Sequence, residues 1–240
     1  MRLHGLRLGF RGHCLQSLDW LRAQLAGLHL VSPSDDAEVD VLFSFRLGKQ
    51  LKGRRDFHLL YQGSRLCARS HQLDPLITSL RQELTLLLGL TSPGHLVLRG
   101  AVLQSGSQAT TLLLGPALGG ASTLLAEVAR RGVRCGDPGY VLLRRRRAEL
   151  QWLTGERAPL AGILYLSYRR HSRFTPRQLA PGAAALTIFG QAPGAALQAA
   201  MILEEAAHLA GRLPCWQATR GEASRHAPSL VQFLRAQSLG

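Results

Sequence analysis

The 240-residue sequence has no long hydrophobic run, few cysteines and almost no lysine. Its most apolar stretches, 84–90 and 112–114, are far shorter than the ~18 residues that a membrane-spanning helix requires. We therefore expect no transmembrane anchor and no membrane partner. The first ten residues alternate apolar and basic side chains and lack the continuous apolar segment of a signal peptide, which predicts a cytoplasmic protein.

The four cysteines are far apart in the sequence, and no two of them form a C-x-x-C pair. This spacing indicates neither a zinc ribbon nor a disulfide scaffold. Buried apolar thiols are the simpler interpretation of Cys14, Cys67, Cys135 and Cys215. Glu204 and His208 lie four residues apart, a spacing that can place two metal ligands on one face of a helix. We favour the alternative that they lie on a solvated helix face. We assign no structural metal.

Arginine supplies nearly all of the positive charge, because only two of the 29 basic residues, Lys49 and Lys52, are lysines. A net charge of +14 raises the question of nucleic acid or another polyanion. Aromatic residues make up 6% and do not alternate with the arginines, so a base-stacking surface is not indicated. Nucleic acid is therefore not favoured as a partner.

Two blocks of basic residues lie in the second half of the chain. Residues 144–147 are four consecutive arginines after the apolar segment 140–143, which favours a strand end or turn that exposes solvated charge. A phosphate-contacting stripe is the alternative. Residues 169–173 form a second cluster, interpreted as an exposed loop, with an acidic peptide or a phosphate as the alternative ligand.

The pattern of the chain predicts two domains, 1–92 and 93–240. In the first, segments 3–10 and 39–45 read as strands, 15–28 as a helix, and the residues on either side of Gln62 and Gly63 as a hairpin. A helix is predicted from Asp74, the expected cap, with Pro75 at its first position, to Gly89. These elements make a small α+β domain.

The second domain carries a phosphate-binding frame. An apolar strand at 110–114 is followed by Gly115, Gly120 and Ser122 in the spacing G-x-x-x-x-G-x-[ST], and then by a helix at 124–131. In a P-loop such a frame places backbone N–H groups and a helix N-terminus around phosphate oxygens. Gly119 and Thr123 complete the predicted binding loop. Ala121 stands where the P-loop motif has lysine, whereas Ser122 keeps the hydroxyl that holds Mg²⁺.

On these residues the sequence resembles HPr serine kinase and its P-loop relatives, which are related to phosphoenolpyruvate carboxykinase. The similarity extends over most of the chain, through segments 94–102, 112–124, 129–134, 163–168 and 209–216. It implies an α/β fold, in which a P-loop domain with a mixed sheet and flanking helices follows the small N-terminal domain. It also implies ATP and Mg²⁺ as cofactors and a homo-oligomer, since the resembled kinases assemble as oligomers.

The sequence departs from the family at three positions that carry the chemistry. Ala121 replaces the phosphate-binding lysine, and Arg99 replaces a histidine in the preceding strand. Asp137 aligns with a pair of aspartates, so a single acid remains as the candidate catalytic base. The alternative for Asp137 is a turn residue before Pro138 and Gly139.

These losses favour a pseudokinase whose two domains present a surface to a protein or peptide partner. In it, the loop either has lost its ligand and only joins the strand to the helix, or still binds a nucleotide or anion without hydrolysis. Its candidate binding residues are Arg99, Gly115, Gly119, Gly120, Ala121, Ser122 and Thr123. The rival hypothesis is an ATP-dependent serine or small-molecule kinase, in which Ser122 holds Mg²⁺, Asp137 is the base and an arginine replaces the lysine.

Overall fold

A computed structural model describes residues 2–3, 5–26, 28, 38–48, 50–51, 54–105, 109–116 and 120–237. The chain divides into two compact units. Unit 1 consists of Met1–Pro93 with Leu153–Glu156, and unit 2 of Gly94–Trp152 with Arg157–Gly240. Over these described ranges, none of the helices has both the length and the apolar character needed to cross a membrane.

Among its described residues, unit 1 contains a mixed sheet and two helices. Its strands are β1 (Arg2–Leu3), β2 (Leu6–Gly12), β3 (Val41–Arg46), β4 (Gln50–Leu51), β5 (Arg54–Arg55), β6 (His58–Gln62) and β7 (Arg65–Ser70), and its helices are α1 (Leu15–Leu25) and α2 (Asp74–Thr91). The five-stranded sheet has the order β1-β2-β3-β6-β7, and β4 pairs with β5 apart from it. Strands β2 and β3 are parallel, and the other pairs are antiparallel.

The helices of unit 1 follow from the spacing of their leucines. In α2, Leu76, Leu80, Leu84 and Leu88 recur every four residues and are all buried, which is the stripe that an amphipathic helix turns toward a core. The cap position is Leu73, with Asp74 already inside the first turn and Pro75 beside it. The predicted cap at Asp74 is therefore wrong by one residue, and the helix runs two residues past Gly89.

Unit 2 contains eight strands and four helices among the described residues. The strands are β8 (His95–Ser105), β9 (Ala109–Leu114), β10 (Arg134–Cys135), β11 (Gly139–Arg144), β12 (Glu149–Gln151), β13 (Arg157–Tyr168), β14 (Arg177–Gln178) and β15 (Cys215–Arg220). The helices are α3 (Ala121–Ala129), α4 (Pro181–Phe189), α5 (Ala199–Arg212) and α6 (Ala223–Gln237). The mixture of helices and two mixed sheets confirms the α/β class predicted from the sequence.

Three strands of unit 2 are parallel and define the edge at which its cavity lies. Strand β13 pairs in parallel with β9 on one side and with β15 on the other. Strand β8 runs antiparallel to β9, β10 and β11, and β12 lies antiparallel between β11 and β13. The carboxyl ends of β9, β13 and β15 therefore meet at one edge, which is where open α/β sheets bind ligands.

Helices cover both faces of this sheet. Leu112 and Leu114 of β9 belong to the core cluster that includes α4 and α5, whereas Leu113 belongs to the cluster that includes α3 and α6. The alternation follows from the two-residue repeat of a strand. Because both faces are buried, β9 is apolar at three consecutive positions, as the sequence predicted for a buried strand.

The four arginines at 144–147 end β11 and turn the chain into β12, with Arg146 at φ 59°. The turn is as predicted, but its charge is not simply solvated. Glu205 of α5 is buried, and its carboxylate lies 3.4 Å from the Arg145 Nε and accepts the Arg146 backbone N–H at 2.9 Å. The block therefore anchors the β11–β12 turn to α5.

Candidate functional site

The described residues between β9 and α3 have the backbone features of a strand-loop-helix turn. The chain leaves the buried strand at Gly115, and Gly120 adopts the left-handed conformation, φ 67° and ψ 32°, just before the helix begins at Ala121. A Cβ on Gly115 would lie 2.5 Å from the Leu166 carbonyl oxygen of the neighbouring strand β13. Both glycines are therefore required, one by its backbone conformation and the other by close packing.

The N-terminus of α3 opens toward the same edge. The Leu124 N–H donates the first intrahelical bond to the Gly120 carbonyl at 3.2 Å. The N–H groups of residues 121–123 precede that bond and have no acceptor within the helix. None of the described side chains caps this end, so the positive end of the helix dipole faces the region beyond β9.

Arg220, the last residue of β15, brings a buried positive charge to this loop. The residue is 4% exposed. The Nη2 group donates to the Gly120 carbonyl and the Nη1 group to the Gly221 carbonyl, each at 2.9 Å. Burial lowers the pKa of the Arg220 guanidinium, while Tyr168 and Glu222 act in the opposite direction. Arginine starts from so high a pKa that it stays charged at neutral pH.

Tyr168 and Glu222 lie beside this arginine. The Tyr168 hydroxyl donates to the Glu222 carboxylate at 2.7 Å, and the Arg220 Cζ is 5.2 Å from the centre of the Tyr168 ring. The hydrogen bond to Glu222 raises the pKa of Tyr168. The Glu222 carboxylate is thus held by a neutral phenol and provides a nearby counter-charge for Arg220.

A cavity of about 600 Å³ opens at the edge where these residues meet. This volume lies within the range of about 300–1,000 Å³ found for small-molecule sites. Most of its wall comes from three places. The loop and α3 contribute Gly115, Pro116, Gly120, Ala121, Ser122 and Leu124, and strands β9 and β13 contribute Leu113, Leu114 and Leu166. The third part of the wall consists of Pro138 and the first two residues of β11, Gly139 and Tyr140.

The charge of the cavity wall has one sign. Among the described residues that line it, the charged side chains are Arg99 and Arg220, and none is acidic. The loop residues 117–119, which lie outside the described part of the chain, carry no charged side chain by sequence. Arg99 is exposed on β8, with its Cζ 6.0 Å from the centre of the Tyr140 ring. Two cations from different strands therefore face one cavity, which suits an anionic ligand.

The structure brings together five of the residues predicted from the sequence: Arg99, Gly115, Gly120, Ala121 and Ser122 all line the cavity. Thr123 lies in the first turn of α3 but does not line it. Gly119 lies outside the described residues. Asp137 is exposed and does not line the cavity, although the three residues that follow it do.

Arg220 is the residue that the sequence reasoning missed. It lies 100 positions after Gly120, and nothing local in the sequence connects the two. The sequence contained one signal for a ligand-binding role: Arg220 ends a short strand segment and is followed by a glycine. The carboxyl ends of parallel strands collect ligand-binding side chains. That signal becomes useful only once β15 is known to be parallel to β13.

Comparison with known proteins adds no identification. No protein-family model matches the sequence, and no curated protein matches it significantly. Function is therefore inferred from the geometry and charge of the site.

Proposed function

We propose that unit 2 is a P-loop-type domain that binds a phosphate-bearing ligand, with a nucleoside diphosphate or triphosphate as the leading candidate, and does not transfer its phosphoryl group. The observation that carries the proposal is the buried Arg220 guanidinium against the Gly120 carbonyl, on the wall of a cavity that also contains Arg99 and the start of α3. This arrangement supplies from β15 and β8 the positive charge that Ala121 does not supply from the loop.

Each part of the cavity has a role in such binding. The N–H groups at the start of α3 donate to phosphate oxygens, and the helix dipole favours their negative charge. Arg99 and Arg220 neutralise that charge from two sides. The leucines and Tyr140 on the wall provide an apolar surface for the ring system of a nucleotide.

The same wall argues against phosphoryl transfer. A kinase of the resembled family needs a carboxylate that orients or deprotonates the hydroxyl nucleophile, and Asp137, the residue predicted for that role, is outside the cavity lining. Ala121 has no side-chain donor for the transferring group. Together with the resemblance to HPr kinase, these features favour a pseudokinase-like binding protein over an active kinase.

The proposal is tested by isothermal titration calorimetry of the full chain with ADP and ATP. We expect saturable binding at one site, and Arg99→Gln should weaken it about tenfold or more, because a charge-assisted hydrogen bond to phosphate contributes about 1.5–3 kcal/mol. Arg157→Gln is the matched control, since it removes the same charge from an exposed residue at the amino end of β13. Failure of both nucleotides to bind a folded sample would refute the proposal.

ATP hydrolysis is measured on the same sample. We expect no turnover above the buffer rate, and none that depends on Asp137. Turnover that Asp137→Asn abolishes would instead support the kinase hypothesis.

A further inference from the structure

We infer that the cavity takes its phosphate ligand as the free anion, without a divalent cation. This inference rests on the proposed function and names the chemical form of the ligand. A P-loop enzyme instead takes its nucleotide with Mg²⁺, which is held by the loop Ser or Thr and by an acidic residue. The residues around this cavity are not suited to hold Mg²⁺ in this way.

The donor set of the cavity is the first reason. Mg²⁺ requires near-octahedral oxygen coordination and is usually bound through one or two carboxylates in addition to phosphate and water. Ser122 provides a hydroxyl, but none of the described lining residues provides a carboxylate. Nor do the described residues contain a group of three or more His, Cys, Asp or Glu side chains suited to a metal ion.

Five of the acidic residues of unit 2 have other partners, which is the second reason. Unit 2 has six of them by sequence. Four form ion pairs with arginines: Glu127, Glu149, Glu204 and Glu205. Asp137 is exposed outside the cavity lining.

Glu222 is the sixth acidic residue and lies near Arg220: burial lowers the pKa of the Arg220 guanidinium, and the charge of Glu222 partly opposes that lowering. Its carboxylate accepts the Tyr168 hydroxyl at 2.7 Å and does not line the cavity. A Mg²⁺ ion at this carboxylate would also lie near the positive charge of Arg220, which opposes it. Glu222 is therefore a counter-charge for the arginine and not a metal ligand.

The third reason is that the charge a metal would supply is already present. Arg99 and Arg220 together carry two positive charges, as one Mg²⁺ ion does, and guanidinium groups bind phosphate oxygens in bidentate fashion without a metal. A divalent cation bound to the ligand would place a third and fourth positive charge beside them. Complexing the ligand with Mg²⁺ should thus leave its affinity unchanged or reduce it.

The test is calorimetry of the full chain with ADP and with inorganic pyrophosphate, each in excess Mg²⁺ and in EDTA. We expect the Kd in EDTA to be equal to or smaller than the Kd in Mg²⁺. A Kd that is about tenfold or more larger in EDTA, a difference of about 1.4 kcal/mol, overturns the inference and leaves the proposed function intact. Absence of binding in both buffers overturns the proposed function and the inference with it.

A pair of variants tests whether Glu222 is a hidden metal ligand. Glu222→Gln retains an acceptor for the Tyr168 hydroxyl but removes the negative charge, so ADP should bind at least as tightly in EDTA and in Mg²⁺ as to the unmodified chain. Glu204→Gln, which removes the same charge from the exposed face of α5, is the matched control. Loss of binding in Mg²⁺ by Glu222→Gln alone would assign the metal role to Glu222 and contradict the inference.

Discussion

The Arg220 guanidinium and the Gly120 carbonyl are 100 residues apart in the sequence and are joined by a 2.9 Å hydrogen bond. This bond ties the end of β15 to the start of α3 across the carboxyl edge of the parallel strands. It also holds a positive charge on the wall of the cavity. One side chain therefore contributes both to the stability of unit 2 and to its proposed affinity for phosphate.

Replacing Arg220 separates these two contributions. Arg220→Gln should lower the free energy of unfolding by about 1–3 kcal/mol, because the buried Gly221 carbonyl and the Gly120 carbonyl lose charged donors. It should also weaken the binding of ADP. Arg220→Lys keeps the charge but loses the planar fork, so its loss of affinity should be smaller. Urea unfolding and calorimetry measure the two effects, and a Gln variant indistinguishable from the unmodified chain in both would contradict the assignment.

Gly120 is the second position at which the loop should be sensitive. At φ 67°, an alanine is disfavoured by about 1–2 kcal/mol, and its Cβ would lie 3.0 Å from the Arg220 Nη2. We expect Gly120→Ala to destabilise the chain by at least that amount in urea unfolding. Gly211→Ala should instead stabilise it by about 0.5–1 kcal/mol, since Gly211 lies in α5 with open space around its Cβ position. Equal effects of the two substitutions would be inconsistent with the loop geometry.

The anchor between α5 and the β11–β12 turn gives a third prediction. The Glu205 side chain is 2% exposed, and Glu205→Ala leaves the arginine turn without its buried counter-charge. We expect a loss of about 3–5 kcal/mol. Its neighbour Glu204 pairs with Arg146 at 3.0 Å but is 60% exposed, so Glu204→Ala should cost only about 0–1 kcal/mol. Denaturant unfolding compares the two, and similar losses would show that the turn is not anchored through Glu205.

Cys215 predicts an alkaline limit to stability. Burial raises the pKa of this thiol from its usual 9.0 to about 11. Between these pH values the unfolded chain releases the proton while the folded chain keeps it, so the Cys215 contribution to stability is complete below pH 9 and is lost as the pH rises toward 11. Cys215→Ala should flatten this part of the profile of unfolding free energy against pH. If the two profiles of unfolding free energy run parallel between pH 9 and 11, the Cys215 thiol makes no such contribution to stability.

The elements with a strong local pattern were predictable from the sequence. The leucine stripe of α2, the apolar strand β9 and the glycine frame before α3 each depend on residues close together in the chain. Helix α3 begins at Ala121, earlier than the predicted start at residue 124, because the small residues of its first turn carry no apolar pattern. Helix α4 was not predicted, although Pro181 in its first turn is a recognised start signal.

The cavity was predictable only in part. Its loop residues come from a local motif, and Arg99 was identified by alignment with a family pattern. Arg220 was not, because its contact with Gly120 depends on the parallel pairing of β13 with β15 and on the register that places Arg220 opposite Tyr168. Sequence spacing contains no information on that register. The position of Asp137 outside the lining depends likewise on how β11 pairs with β8.

The most direct test of phosphate binding in this cavity is amide chemical-shift mapping of the 26.1 kDa chain by NMR during titration with ADP. We expect the largest shifts at the backbone N–H groups of Gly120, Ala121 and Ser122, with saturation at one equivalent and little change in unit 1. Absence of shifts at saturating ADP, or shifts confined to residues outside the cavity, would contradict it.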